Sequence, residues 1–197
     1  TAAGRGVTLA ATDVLDIRDT LVAGRTLQRM LTRLTDQFPL LAATAGRIAP
    51  CPGLIEEINR CLDDQAHVRD DASPDLARIR RELQIAYNRL QDKMQGVINS
   101  PGNAKYLQEQ LITQRDGRYV VPLKAEYKSR MPGVVHDMSA SGATVVVEPL
   151  PVVELNNAWR ELQIEEEQEV HRILAALSVR VAEHAAESEQ TVDAWGD

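Results

Sequence analysis

Aromatic side chains are scarce in this chain: phenylalanine, tryptophan and tyrosine together make up 4% of its 197 residues. Any core must therefore be assembled from Leu, Ile, Val and Ala, a composition that favours helix packed on helix over a large sheet. Cysteine is scarcer still. Cys51 and Cys61 are the only two, too few for a disulfide scaffold and in keeping with reduced thiols in a cytoplasm. No run approaches the roughly 18 consecutive apolar residues that a membrane-spanning helix requires, and the opening TAAGRGVTLAATD lacks the apolar stretch of a secretory signal. The expectation is a cytoplasmic protein with no membrane partner. Positive charge is not in excess either: a formal net charge of -7 excludes a chain that is basic all over, while leaving room for a local basic face. Apolar content is ample at 44%, which excludes wholesale disorder.

Along the chain the periodicity is mostly helical. Thr8 and Thr12 offer N-caps for a first helical region, in which Leu15, Leu21, Leu27, Met30, Leu31 and Leu34 recur at helical intervals until Phe38-Pro39. A short helix is expected next, before the punctuation Ala49-Pro50-Cys51-Pro52-Gly53, and 54–62 reads as another. Ser73-Pro74-Asp75 is a start signal: a capping hydroxyl, a proline at the first helical position and an acid in the first turn. Leu76, Ile79, Leu83, Ala86, Leu90, Met94 and Val97 then form a heptad-like stripe that asks for a partner helix, ending at Asn99-Ser100-Pro101-Gly102. The longest helical pattern runs from Pro151 to about residue 190, with Leu155, Trp159, Leu162, Val170, Ile173, Leu177 and Val181 as its seam.

Between these two helices the period changes. Residues 110–114, 118–123, 133–137 and 143–148 are short β-branched runs bounded by Asp116-Gly117, Pro132-Gly133 and Ser139-Ala140-Ser141-Gly142. Asp-Gly between two runs signals a hairpin, and Pro122 inside its run points to an edge strand or a bulge. The resulting fold class is mainly α, with two long antiparallel helices and a small antiparallel β insertion. Its divisions are a helical segment over 1–72, the long helices at 73–99 and 151–191, and the β-rich insertion at 100–150.

Two stretches carry a family resemblance. Ile112-Thr-Gln-Arg-Asp-Gly-Arg-Tyr-Val-Val-Pro-Leu-Lys124 resembles the T-x-R-x-x-R-Y-V-[IV]-P-V-K signature of a subfamily of MutS-like ATPases. Gly133-Val-Val-His-Asp-Met-Ser-Ala-Ser-Gly-Ala-Thr144, followed by Glu148-Pro149, resembles its G-[IV]-V-H-D-x-S-x-S-G-A-T-x-F-x-E-P signature, with Val146 where that family more often carries Phe. Leu155-Asn156-Asn157 and Glu165-Glu166-Glu167 continue the match, and it covers roughly residues 56–185. This is the MutS-two subfamily, associated with suppression of recombination and with rescue of stalled ribosomes. The resemblance implies that the long helices are levers and the β insertion is a clamp. It also implies a parent protein that is a homodimer, using ATP and magnesium in an ATPase domain and often carrying a C-terminal nuclease domain. No G-x-x-x-x-G-K-[ST] occurs in this sequence, so neither ATP turnover nor a bound cofactor is expected of the chain itself, which reads as an excised piece ending at Trp195-Gly196-Asp197.

Within 105–130, Lys105, Arg115, Arg118, Lys124, Lys128 and Arg130 face only Glu109, Asp116 and Glu126, a net of +3 (six minus three) in an otherwise acidic chain. Clustered cations suit a phosphate backbone, and such contacts position without reading sequence. Arg115, Arg118, Lys124, Lys128 and Arg130 are the candidate nucleic-acid-binding residues, and the implied partners are branched or duplex DNA or the ribosome. Ordinary solvent-face charge on a sheet is the plainer reading of the same residues, and a helical dimerisation scaffold is the rival function. No catalytic residue is assigned. His136 and Asp137 are strand neighbours that point to opposite faces, no G-x-S-x-G elbow is present, and Ser139, Ser141 and Gly142 suit a turn. Glu161, Glu165, Glu166, Glu167 and Glu169 beside His171 read as a solvated helix face rather than a metal site.

Overall fold

The computed structural model describes residues 7–47 and 51–193, with side chains up to residue 186. Ala49-Pro50 and Trp195-Gly196-Asp197 lie outside the described residues. The elements in order are α1 (Ala11–Thr32), α2 (Pro39–Ala45), α3 (Leu54–Cys61), α4 (Pro74–Asn99), α5 (Pro101–Ala104), β1 (Thr113–Arg115), β2 (Arg118–Lys124), β3 (Gly133–Met138), β4 (Thr144–Pro149) and α6 (Val153–Asp193). Short 3-10 segments cover Asp70–Ala72, Ala125–Arg130 and Leu150–Val152. The expected class, mainly helical with a small antiparallel sheet between two long helices, is the observed one. The chain divides into two compact units, one formed by residues up to Ala77 with those from Gln168 onward, the other by Arg78–Glu167. Each long helix contributes to both.

The first unit is built on aliphatic packing. Val14, Leu54, Ile58, Leu76 and Leu177 are almost wholly buried in one core with Ile173. The start signal at Ser73 works as expected, because its Oγ accepts the Leu76 N–H at 3.0 Å. The same hydroxyl donates to Glu169 at 2.5 Å, and Arg172 donates twice to that carboxylate at 2.6 Å. Glu169 is therefore no part of a solvated face. It is buried, and the Arg172 guanidinium, aided by Ser73, holds its carboxyl down at about 2 against the opposing effect of burial. The expected threonine caps of α1 are absent: the residue before the helix is Ala10, which has no capping group, and Thr12 lies inside it. Instead the Leu9 N–H reaches across to Ser178 Oγ at 2.8 Å. Burial also pushes the Cys61 thiol up, which makes it a poor nucleophile.

In the second unit α4 and α6 run antiparallel, Arg80 meeting Glu166 at 2.7 Å and Tyr87 meeting Trp159. The heptad-like stripe thus finds its partner within the chain: Leu90, Met94 and Val97 are buried against Trp159, Val152 and the sheet. Few as they are, the aromatics are concentrated here. Tyr87, Tyr119 and Trp159 form a three-ring cluster with centroids 5.2 to 6.3 Å apart, the range in which such pairs attract beyond their area.

The sheet has order β1-β2-β4-β3, all antiparallel. Asp116 and Gly117 both take positive φ (50° and 74°), the two-residue turn that Asp-Gly predicts. The first strand starts later than its β-branched run, at Thr113. Pro122 lies in β2, a central strand, paired with Val146. It is tolerated because β1 pairs only with the first three residues of β2. Along the rest, that flank meets residues 106–108, where Gln108 donates to Pro122 O at 2.9 Å and Lys124 donates to Tyr106 O at 2.9 Å. A strand residue's nitrogen and carbonyl point to the same side, so the missing N–H of Pro122 falls on an irregular flank. The bulge is elsewhere, between Val135 and Asp137 in β3.

Candidate nucleic-acid interface

The β insertion is fixed to α6 by one buried carboxylate. Glu148, near the end of β4, is 1% exposed. A carboxylate so far from water must be paired and hydrogen-bonded to persist, and three groups converge on it. Arg118 donates to Glu148 at 2.7 Å, Asn156 of α6 at 2.9 Å, and His136 Nε2 lies 2.7 Å away. The bulge explains the last contact, since the extra residue between Val135 and Asp137 is His136 itself. Asn156, wholly buried, also accepts from the Tyr119 N–H and donates to the Tyr119 carbonyl, both at 3.0 Å, in the manner of a neighbouring strand. Arg118 completes the network by donating to Asn157 at 2.6 Å. Gly133 permits the close approach of β3 to β4, where a Cβ would collide with the Glu148 carbonyl and the Val147 side chain.

This hub escaped sequence reasoning, which placed His136 on a strand without a role and Glu148 only in a motif. The available signal was the cluster of His136, Glu148, Asn156 and Asn157 inside the family signatures. Sequence alone does not link them, and only the bulge and the β4-to-α6 junction bring them together.

The five candidate cations fall into two groups. Arg115 and Arg118 flank the hairpin turn at one end of β2, directly opposite each other in register. Lys124 closes the other end of the strand, six residues away, or about 20 Å at 3.4 Å per residue. Lys128 and Arg130 follow on the 3-10 segment. The structure therefore does not bring all five together. Their surroundings also differ. Arg118 is held inward by Glu148 and Asn157, while Arg115 is exposed and pairs with Asp137 at 3.3 Å. Lys124 is half-buried and donates to the Lys105 carbonyl at 3.2 Å. Lys128 and Arg130 are exposed. Among the described residues no group of His, Cys, Asp and Glu is arranged to hold a metal ion, and no helix is long and apolar enough to cross a membrane.

No protein-family model matches the chain. Curated relatives do, across almost its full length. The Endonuclease MutS2 of Pelotomaculum thermopropionicum is 43% identical over 195 residues, covering 99% of this chain and 25% of that protein. That of Symbiobacterium thermophilum is 44% identical over 181 residues, 92% of this chain and 23% of the other. The chain belongs to the MutS2 family. A third MutS2 relative, from Thermomicrobium roseum, is 41% identical over 98% of the chain. The chain spans about a quarter of the length of the MutS2 relatives it matches.

Proposed function

We propose that this part of a MutS2 protein is a clamp and lever that grips nucleic acid through phosphate contacts, without reading mismatches. The observation that carries the proposal is the run Lys124, Lys128 and Arg130, two of them exposed, at one end of β2 in a segment that is net positive within an acidic chain. Exposed cations with few acidic neighbours are what a phosphate backbone selects. Arg115 adds a further contact at the hairpin end once it exchanges Asp137 for a phosphate. Arg118 acts through the Glu148 hub, holding the β insertion on α6. The ligand is branched or duplex DNA, in suppression of recombination, or the ribosome, in rescue of stalled translation. ATP and magnesium belong to an ATPase domain of the parent protein that drives opening and closing, and nuclease activity belongs to the parent as well. The name the relatives carry, Endonuclease MutS2, supports a nucleic-acid substrate.

The test is binding of the chain to a four-way DNA junction, a linear duplex and ribosomes, with and without Lys124→Ala, Lys128→Ala and Arg130→Ala combined. Binding that weakens in the triple variant sustains the proposal; binding indifferent to it refutes the assignment. A second reading, a protein-interaction scaffold, is favoured by a different observation. Leu27, Met30, Phe38, Leu40 and Leu41, on α1, α2 and the turn between them, are each at least half exposed, more apolar surface than scattered single residues account for. Sedimentation that shows a dimer, lost on Leu40→Ser and Leu41→Ser, would support it.

A further inference from the structure

Tyrosine is rare here, with four in the chain, and two of the four, partly buried, are spent on the cluster with Trp159. The other two form a separate pair. Tyr106 and Tyr127 have ring centroids 5.1 Å apart at 45°. Tyr106 is anchored, because it packs against the core of the second unit. Tyr127 is not part of that core. It is half-buried, rides on the 3-10 segment Ala125–Arg130, and has Tyr106 as its ring partner.

The helix type decides what surrounds it. A 3-10 segment has three residues per turn, so side chains three apart eclipse one another, about 6 Å apart along the axis. Tyr127 and Arg130 therefore share one face, and Lys124 ends the extended strand that leads into the segment. Ala125, which packs inward, and Lys128 define a second, and Glu126 with Ser129 a third. The segment's one acid is thus turned off the face that carries the ring. Lys105 adds a further cation to the same corner. Its Nζ stands 5.1 Å from the Tyr106 centroid, within cation–π range, and its carbonyl accepts from Lys124 Nζ.

We infer that Tyr127, backed by Tyr106 and framed by Lys105, Lys124 and Arg130, is a stacking platform for an unpaired nucleotide of a single-stranded nucleic acid. The inference rests on the reading that this end of the β insertion contacts phosphates, and deepens it by naming the class of ligand. Cations alone serve duplex and single strand alike, since both present phosphates. An outlying aromatic ring between cations serves only the strand whose base faces are uncovered, because in a duplex each base face is already stacked on its neighbours. The site thereby favours an unpaired stretch, as found at a DNA branch point or in an RNA single strand, over intact duplex.

The experiment is fluorescence anisotropy of the full chain with a labelled thymidine homopolymer, a labelled uridine homopolymer and a labelled blunt duplex of equal length. Tyr127→Ala is expected to weaken the tighter homopolymer by roughly 5- to 150-fold, the range for loss of one base–aromatic stack, with the duplex changed by much less. Tyr127→Phe keeps the ring and is expected to bind like the parent chain. Far-UV circular dichroism checks that each variant is folded. Which homopolymer binds tighter tells a DNA source from an RNA one, and either is consistent with a platform. Equal loss on single strand and duplex, no loss on the homopolymers, or a Tyr127→Phe variant as damaged as Tyr127→Ala overturns the stacking inference. If duplex binding still falls when Lys124, Lys128 and Arg130 become Ala, the phosphate reading stands without it. Binding to none of the three probes overturns both.

Discussion

Removing the Glu148 carboxylate should detach the β insertion from α6, and the size of the effect follows from its surroundings. The side chain is 1% exposed and receives Arg118, Asn156 and His136 within 2.9 Å. Glu148→Ala leaves the Asn156 amide one acceptor short in a wholly buried position and the Arg118 guanidinium without its anion. Breaking a buried pair by deleting one partner costs about 3–5 kcal/mol. Arg118 is 29% exposed and can turn part of its charge to water, so the expected loss is nearer the lower end, about 2–4 kcal/mol. Urea denaturation followed by tryptophan fluorescence in a Trp195→Phe background isolates the signal of Trp159, which lies in the core of this unit. A double-mutant cycle with Arg118→Met should give a coupling of at least about 1 kcal/mol. A Glu148→Ala loss below about 0.5 kcal/mol, the size of an ordinary surface change, would refute the hub.

Three further outcomes are expected. Gly133→Ala drives a Cβ into the Glu148 carbonyl and Val147, so it should cost about 1–3 kcal/mol in the same urea assay. Ser73→Ala removes both the α4 cap and a donor to Glu169, and should cost about 1–2 kcal/mol by thermal or urea unfolding. The Glu169 carboxyl titrates at about 2 when folded against an ordinary 4.5, so the folded state gains from its ionised form everywhere above pH 4.5. That gain fades as the pH falls from 4.5 toward 2. Acid unfolding of the parent chain should therefore be steeper across that window than that of Glu169→Gln.

Much of the architecture was legible because it depends on local rules. Ser73-Pro74 and Asp116-Gly117 each demand one backbone outcome, and both positions adopt it. The apolar stripe of α4 announced a partner helix, and α6 supplies it. What stayed hidden depends on long-range placement. An Arg three residues on is common beside exposed glutamates too, so Arg172 does not mark Glu169 as buried; its link to the core is the hydroxyl of Ser73, 96 residues earlier. Pro122 looked like a sign of an edge strand because sequence cannot show that β1 stops short and leaves that flank of β2 irregular. The five cations read as one patch because they are close in sequence, whereas an extended β2 carries its two ends apart. Arg118 differs from Arg115 in what its side chain meets, a buried Glu148 and Asn157 rather than an exposed Asp137.

That the end of β2 holds phosphates is tested most directly by the salt dependence of binding. With a four-way junction as ligand, the logarithm of affinity should fall linearly with the logarithm of salt concentration. Replacing Lys124, Lys128 and Arg130 together by Ala should flatten that slope by about 2–3, close to 0.9 for each phosphate that is no longer neutralised. An unchanged slope in the folded triple variant, or junction binding that ignores salt, would contradict the claim.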